Sequence, residues 1–358
     1  MGDLTCFLTM KDKYLISNAI RSLYLKINGL NLQNLNISNH TEDYLVKYIN
    51  NYSFYMSAYS QLLRKALKKI NNSVNECTFV DYGGGCGILS WLAKMTGFKT
   101  VIYNDIYESS VKDAEILSKK LDISIDYYIK GDIEDFVDQI VQLNIQPDLI
   151  CSFDVLEHIY DLENWIKTIA KIRKFNLLFM TGANPKNPYI VNRLKKLHIR
   201  SEYQGCEKNI LYNDIFLNTS FLKQREIIIG NMFPDLENNE VEFLSKKSRG
   251  LRKDGIEKMV REYKKTGKIS YIIDHPTNTC DPYTGSWTER LIDLEQLKIL
   301  CENNNLLMDI SNSLYPYSNN KILNIVKFLF NQLIKMLGTK SLFFSPSVTL
   351  EIQKRSTY

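Results

Sequence analysis

Residues 80–87 read Val80-Asp81-Tyr82-Gly83-Gly84-Gly85-Cys86-Gly87, and this stretch constrains the chain more than any other. It follows CTFVDY, a run of β-branched and aromatic residues suited to a strand. It opens GILSWLAKMTG, a helix-spaced apolar run closed by Gly97. Glycines between a strand and a helix allow positive φ and let another molecule approach the backbone with no Cβ in the way. The same rhythm continues. KTVIYND, IDYYIKGD, PDLICSFD and FNLLFMTG read as strands, separated by helices through SSVKDAEILSKKL, through Ile140 and from about Leu162 to Ile172. Strands alternating with helices predict βαβ units, hence an α/β, doubly wound, mostly parallel sheet.

The spacing of the glycines narrows the ligand. A dinucleotide fingerprint starting at Gly83 and Gly85 would need glycine where Ile88 stands, and no phosphate-loop pattern ending in G-K-S/T occurs. D-x-G-x-G-x-G does fit, through Asp81, Gly83, Gly85 and Gly87, with Gly84 inside it. In this form the segment resembles the first motif of the class I S-adenosylmethionine-dependent methyltransferases. The resemblance implies a Rossmann-like domain and S-adenosyl-L-methionine as cofactor. That molecule has no pyrophosphate. It carries a sulfonium, an amino acid group and an adenosine, so Asp81 suits its ammonium, and open amides at the helix start suit its carboxylate.

Further positions follow from the resemblance. Asp105 ends the second strand about twenty residues beyond Gly85, where a carboxylate accepts from ribose hydroxyls; Ile106 is placed with it in the cofactor set. Asp132 and Ile133, after the third strand, correspond to the adenine contacts, although Asp132 also reads as a helix N-cap. Ser152, Phe153 and Asp154 lie in SFDVLEH, a pattern similar to that of small-molecule O-methyltransferases, and are expected beside the methionine portion. Glu157 and His158 follow. His158 is the candidate catalytic base, since imidazole takes a proton near neutrality; the alternative is that the pair only organises its loop.

Four stretches are expected. Residues 1–73 form an N-terminal helical cap, with Thr41 as N-cap of its second helix, and 74–184 the cofactor-binding core. Residues 185–290 form a substrate-side insertion, because a featureless loop that long is improbable, and 291–358 complete the core. A tyrosine-rich run from Tyr44 to Tyr59 and the loop DHPTNTCDPYTGSWTER, with His275, Asp281, Tyr283, Trp287, Glu289 and Arg290, are candidates for the acceptor pocket. Both also read as packing. The helix through Ile322–Leu337 has a broad apolar face and a polar stripe of Asn324, Lys327, Asn331 and Lys335. Core packing is its default reading, with peripheral membrane contact as the alternative.

Composition limits the rest. Seven scattered cysteines without a CxxC pair suggest reduced thiols, and four histidines make a zinc site improbable. The N-terminus lacks a signal-peptide apolar run and, with Cys6 where Ser or Thr is wanted, a myristoylation pattern. A cytoplasmic protein without a transmembrane segment is expected. A net charge of +5 does not by itself indicate nucleic acid. The leading expectation is O-methylation of a small molecule or glycan precursor. N-methylation of a small-molecule, protein or RNA acceptor, or a non-catalytic scaffold, are the alternatives.

Overall fold

The computed structural model describes residues 10–31, 35–205, 211–212, 215–216 and 219–355. The readings of the N-terminal leader, Cys6, Cys206 and residues 32–34 fall outside them. Helices α1 (Met10–Asn28), α2 (Asn39–Asn50) and α3 (Tyr52–Leu67) come first. The alternating part follows: β1 (Thr78–Tyr82), α4 (Ile88–Thr96), β2 (Thr100–Asp105), α5 (Glu108–Leu121), β3 (Tyr127–Lys130), α6 (Ile133–Gln142), β4 (Leu149–Phe153), α7 (Leu162–Ile169) and β5 (Asn176–Thr181). Next are α8 (Pro188–Tyr203), the short antiparallel pair β6 (Leu211–Tyr212) and β7 (Ile215–Phe216), α9 (Phe221–Met232), α10 (Asn238–Lys247) and α11 (Lys253–Thr266). The chain closes with α12 (Leu294–Asn303), β8 (Leu306–Asn312), α13 (Lys321–Leu337) and β9 (Val348–Lys354).

The sheet order is β3-β2-β1-β4-β5-β9-β8. β1 to β5 pair in parallel, whereas β9 runs antiparallel to both β5 and β8. This is the expected Rossmann-like, mostly parallel sheet. The order reverses between β1 and β4, and in open α/β sheets the crevice at the carboxyl ends of such strands is where ligands bind.

Two compact units are present: Met1–Val155 with Glu163–Thr181 and Lys298–Tyr358, and Leu156–Leu162 with Gly182–Leu297. In the first, Ile16, Leu23, Leu45, Leu62 and Leu63 share one buried cluster with Phe79, Leu89, Trp91 and Tyr103, so the N-terminal helices belong to the core of the sheet domain. α2 starts earlier than expected. Its cap is Ser38, whose Oγ accepts from the Thr41 N–H and is itself held by the Asp113 carboxylate, leaving Thr41 inside the first turn.

In the second unit α8 to α10 occupy a stretch whose sequence signals are weak. α9 shows why: Phe221, Ile228 and Ile229 are buried, Ile227 is exposed, and Gln224 and Arg225 are buried beside them, so no clean apolar stripe exists. α9, α10 and α11 nevertheless close a small core of Ile228, Ile229, Phe233, Leu244, Ile256, Met259 and Val260.

α13, in the first unit, does not pack as expected. Asn331 and Ile334 are its buried residues, while Ile322, Ile325, Leu329 and Met336 are 79%, 64%, 62% and 82% exposed. The cause is the segment before it. Asn331 accepts from the Tyr315 N–H at 2.7 Å and donates to the Tyr315 carbonyl at 3.1 Å. Asn324 makes the same two-way bond with Ser318, and Lys327 Nζ donates to the Pro316 carbonyl. Those backbone groups need partners. The polar side chains supply them, and the apolar face is turned outward.

Candidate functional site

β1 is buried between β2 and β4 and carries Asp81 to its carboxyl end. The chain then turns through Gly83 (φ 74°), Gly84, Gly85 (φ 52°), Cys86 and Gly87 (φ 92°) into α4. The N–H groups of Gly83 and Gly84 both donate to the Asn104 carbonyl at 2.9 Å, Gly85 donates to Asp105 Oδ2 at 3.0 Å, and Gly87 to the Gly84 carbonyl at 2.8 Å. The glycine amides are therefore engaged inside the turn and are not the open donors that the sequence suggests. A Cβ on Gly83 would stand 2.5 Å from Val155 Cγ2, and one on Gly84 2.5 Å from Tyr103 Cε2. At Gly85 it would meet no atom within 4 Å. Only here does the missing side chain face open space; Gly83 and Gly84 are required by packing.

Three carboxylates converge on this edge of the sheet. Asp81, 2% exposed, accepts from the Ser90 N–H and hydroxyl at 2.9 and 2.7 Å on Oδ2, which fastens α4 to β1. Burial pushes its carboxyl up to about 7, the Ser90 bonds oppose the rise, and the charge of Asp105 adds to it. Asp105, at the end of β2, holds one backbone amide on each oxygen, Gly85 on Oδ2 and Tyr107 on Oδ1, both at 3.0 Å. Burial raises its carboxyl too, against these two donors. Each oxygen keeps a further lone pair. Ile106 beside it is 58% exposed. The third, Asp154, follows β4 with φ 53°, a left-handed backbone that is uncommon for a non-glycine residue.

Asp132 N-caps α6: Oδ1 accepts from Glu134 and Asp135, and Asp135 reciprocates to the Asp132 N–H. The side chain is exposed, and Ile133 next to it is buried at 4%. Ser152, in β4, is fully buried with an Oγ that has no hydrogen-bond partner. Phe153 packs on Tyr59 with the rings tilted at 59° and 4.9 Å between their centres, and Tyr59 shares a 2.9 Å hydroxyl contact with Tyr48. Burial lifts both phenols above the ordinary tyrosine range, so they act as neutral groups. The Tyr44–Tyr59 run thus contributes at least two tyrosines packed at the β4 end of the first unit.

His158 lies in the second unit, closing the 3-10 turn Leu156–His158. Its Nδ1 sits 2.8 Å from the Trp287 carbonyl. A carbonyl only accepts, so Nδ1 carries the hydrogen and Nε2 is the proton-accepting nitrogen. The loop around Trp287 is strongly braced. Trp287 stacks on Tyr160, Arg290 lies over the Trp287 ring at 4.7 Å and pairs with Asp274, and Asp281 accepts from the amides of Tyr283 and Thr284. Most polar groups of this loop bond within their own unit, the packing alternative raised by the sequence. Deeper in the unit, Arg225 and Glu202 form a buried ion pair joined by the Thr279 hydroxyl.

Sequence reasoning missed Asn104 and Gly131. The Asn104 side chain donates to the carbonyls of Ile129 and Gly131 at 3.2 Å while its own carbonyl takes Gly83 and Gly84. One residue thus ties together the ends of β1, β2 and β3. Gly131 has φ 138°, and a Cβ there would strike Asp135 at 2.3 Å. The Lys-Gly-Asp sequence before α6 was the available signal for it; Asn104 had none beyond its place beside Asp105.

Residues 52–205 match the methyltransferase domain family model. No curated protein matches the chain in sequence. Among solved structures, it is similar to an S-adenosylmethionine-dependent methyltransferase from Agrobacterium tumefaciens, at 11% identity and TM-score 0.28, over 35% of this chain and 43% of that one. It is also similar to the plantazolicin methyltransferase BpumL, at 11% identity and TM-score 0.39, over 95% and 99% of the two chains. The magnesium protoporphyrin IX methyltransferase from Synechocystis gives 11% identity and TM-score 0.37, over 96% and 98%. The chain spans less than half of the Agrobacterium protein. Over residues 52–205, less than half of its length, the chain is thus similar to the methyltransferase domain family.

Proposed function

We propose that this protein moves a methyl group from S-adenosylmethionine to an oxygen of a small molecule or glycan precursor, using the carboxyl edge of β1, β2, β3 and β4. The observation that carries the reading is the open space at Gly85 next to Asp105, whose two oxygens are held in place by backbone amides. The residues present fit the cofactor. Asp105 would take the ribose hydroxyls, with Ile106 beside it. Asp132, with Oδ1 used in its cap, would offer Oδ2 to the adenine amino group, and Ile133 an apolar wall. The acidic edge formed by Asp105 and Asp154 favours a cationic ligand, with Asp81 buried and bonded to Ser90. The unpartnered Ser152 hydroxyl and Phe153 would border the methionine portion. Since the glycine amides are engaged, as is that of Ser90, a ligand carboxylate would turn to the amides of Ile88 and Leu89, which have no intrahelical acceptor.

Bound there, S-adenosylmethionine would supply a methyl already activated on a sulfonium. The protein's task is then to orient, and to take a proton where the acceptor is a hydroxyl. Orientation of two reactants is worth on the order of 7–11 kcal/mol. His158, with Nδ1 fixed on the Trp287 carbonyl, presents Nε2 in the tautomer that accepts a proton, and we assign it the base role.

Calorimetry of the full chain with S-adenosylhomocysteine tests the cofactor reading. Wild type should bind, and Asp105→Ala should bind at least about tenfold more weakly, roughly 1.4 kcal/mol. No binding by wild type would sink it. Transfer of a labelled methyl to a panel of hydroxylated and amino acceptors tests the acceptor class, and His158→Ala should lower the rate on hydroxyls by about a hundredfold. Transfer to amines alone would overturn the O-methylation reading.

A further inference from the structure

α13 is amphipathic with its sides reversed. Asn324, Lys327 and Asn331 bond to residues 315–318 of the protein, while Ile322, Ile325, Val326, Leu329, Leu333 and Met336 form an outward apolar stripe. At 100° per residue these six fall on one side of the helix, which is about 25 Å long. The turn that follows adds Phe343 and Phe344, 53% and 38% exposed. Monomeric soluble proteins rarely expose a contiguous apolar surface of this kind without a use for it. No helix among the described residues is long and apolar enough to cross a membrane.

The charge around the stripe selects the occupant. Between Ile310 and Leu350 the sequence has Lys321, Lys327, Lys335 and Lys340 and no Asp or Glu. Lys321, Lys335 and Lys340 are exposed. A second copy seated symmetrically on this face would bring lysines against lysines, with no carboxylate in either segment to answer them. Anionic lipid headgroups would neutralise the same charges, and exposed Phe and Leu side chains suit the zone just beneath the headgroups. We propose that α13 and the turn after it lie flat on an anionic lipid surface, apolar stripe inward, with the flanking lysines at the phosphate level.

Co-sedimentation of the full chain with vesicles tests this, comparing phosphatidylcholine alone with phosphatidylcholine containing about one third phosphatidylserine. Wild type should partition onto the mixed vesicles at least about tenfold better than onto the neutral ones. The triple variant Ile325→Ser, Leu329→Ser, Met336→Ser should lose that partitioning by about tenfold or more. All three positions are exposed, so its circular dichroism and S-adenosylhomocysteine binding should match wild type; retention of vesicle binding would overturn the proposal. Lys321→Gln with Lys335→Gln and Lys340→Gln should weaken binding to mixed vesicles selectively. Equal partitioning onto both vesicle types, or none onto either, overturns it. So does a wild-type dimer in light scattering that the serine variant dissolves and that ignores vesicles, for then a second copy covers the stripe.

Discussion

Replacing Asp81 by Asn removes an ionisable carboxyl from the floor of the site while keeping an oxygen to accept both Ser90 bonds. The carboxyl is 2% exposed and stands at about 7, against an ordinary 3.8. A folded-state value raised in this way means that the native protein keeps a proton the unfolded chain has released. The group's contribution to stability is therefore complete below pH 3.8 and is lost as the pH rises through about 7. Roughly three pH units at about 1.36 kcal/mol each set an upper bound of about 4 kcal/mol. Relaxation and water penetration around an ionised buried carboxylate reduce this, so about 1–4 kcal/mol is expected. Urea denaturation of wild type and Asp81→Asn at about pH 4 and about pH 8 reads the effect. At the lower pH the two should agree within about 1 kcal/mol, and at the higher pH the variant should be the more stable by the amount above. A variant equally destabilised at both values would show that Asp81 is ionised and well solvated in the native state, and the reasoning would be wrong.

The glycine turn separates packing from ligand approach. Gly84→Ala should cost about 1–3 kcal/mol of stability, since its methyl meets the Tyr103 ring. Gly85→Ala should cost only about 1–2 kcal/mol, yet weaken S-adenosylhomocysteine binding about tenfold in calorimetry; unchanged affinity would remove Gly85 from the ligand surface. Arg225→Met leaves buried Glu202 with the Thr279 hydroxyl and the more distant Arg249, 3.9 Å away, and should lower stability by at most about 3–5 kcal/mol in denaturant titration. A loss below about 1 kcal/mol would mean that Glu202 takes up a proton or finds water. Asp132→Ala should remove about 1 kcal/mol through the lost cap. If the residue is a cap and nothing more, cofactor affinity will not change.

The alternating part of the fold was legible because βαβ units write two periods into the sequence, and the strands so read pair in the expected sheet. The glycine turn was legible as a turn, but its amides were not, because their acceptors are Asn104 and Asp105, twenty residues away. Asn104 illustrates the general difficulty: its carbonyl and amide act across three strands, and nothing local marks that. α8 and α9 were obscured by the buried polar side chains of Glu202 and Arg225, which interrupt their apolar stripes, whereas α11, with Ile256, Met259 and Val260 on one face, was legible as a helix from about Gly255 to Lys265. α13 shows a different limit. A hydrophobic pattern says that two faces differ, but which face meets the protein depended on the carbonyls and amides of Tyr315, Pro316 and Ser318.

β5 lies hydrogen-bonded to β4 on one side and to β9 on the other, Thr181 opposite Val348 through Asn176 opposite Gln353. The β9 partner arrives only after the whole of the second unit has been synthesised. Until then Leu177, Leu178, Phe179 and Met180 stand along an open strand edge, the kind of surface that recruits foreign strands. Such distant pairing slows folding. During translation this protein passes through a long interval in which a nearly finished nucleotide-type sheet is adhesive, and holding that edge is where a chaperone would matter most.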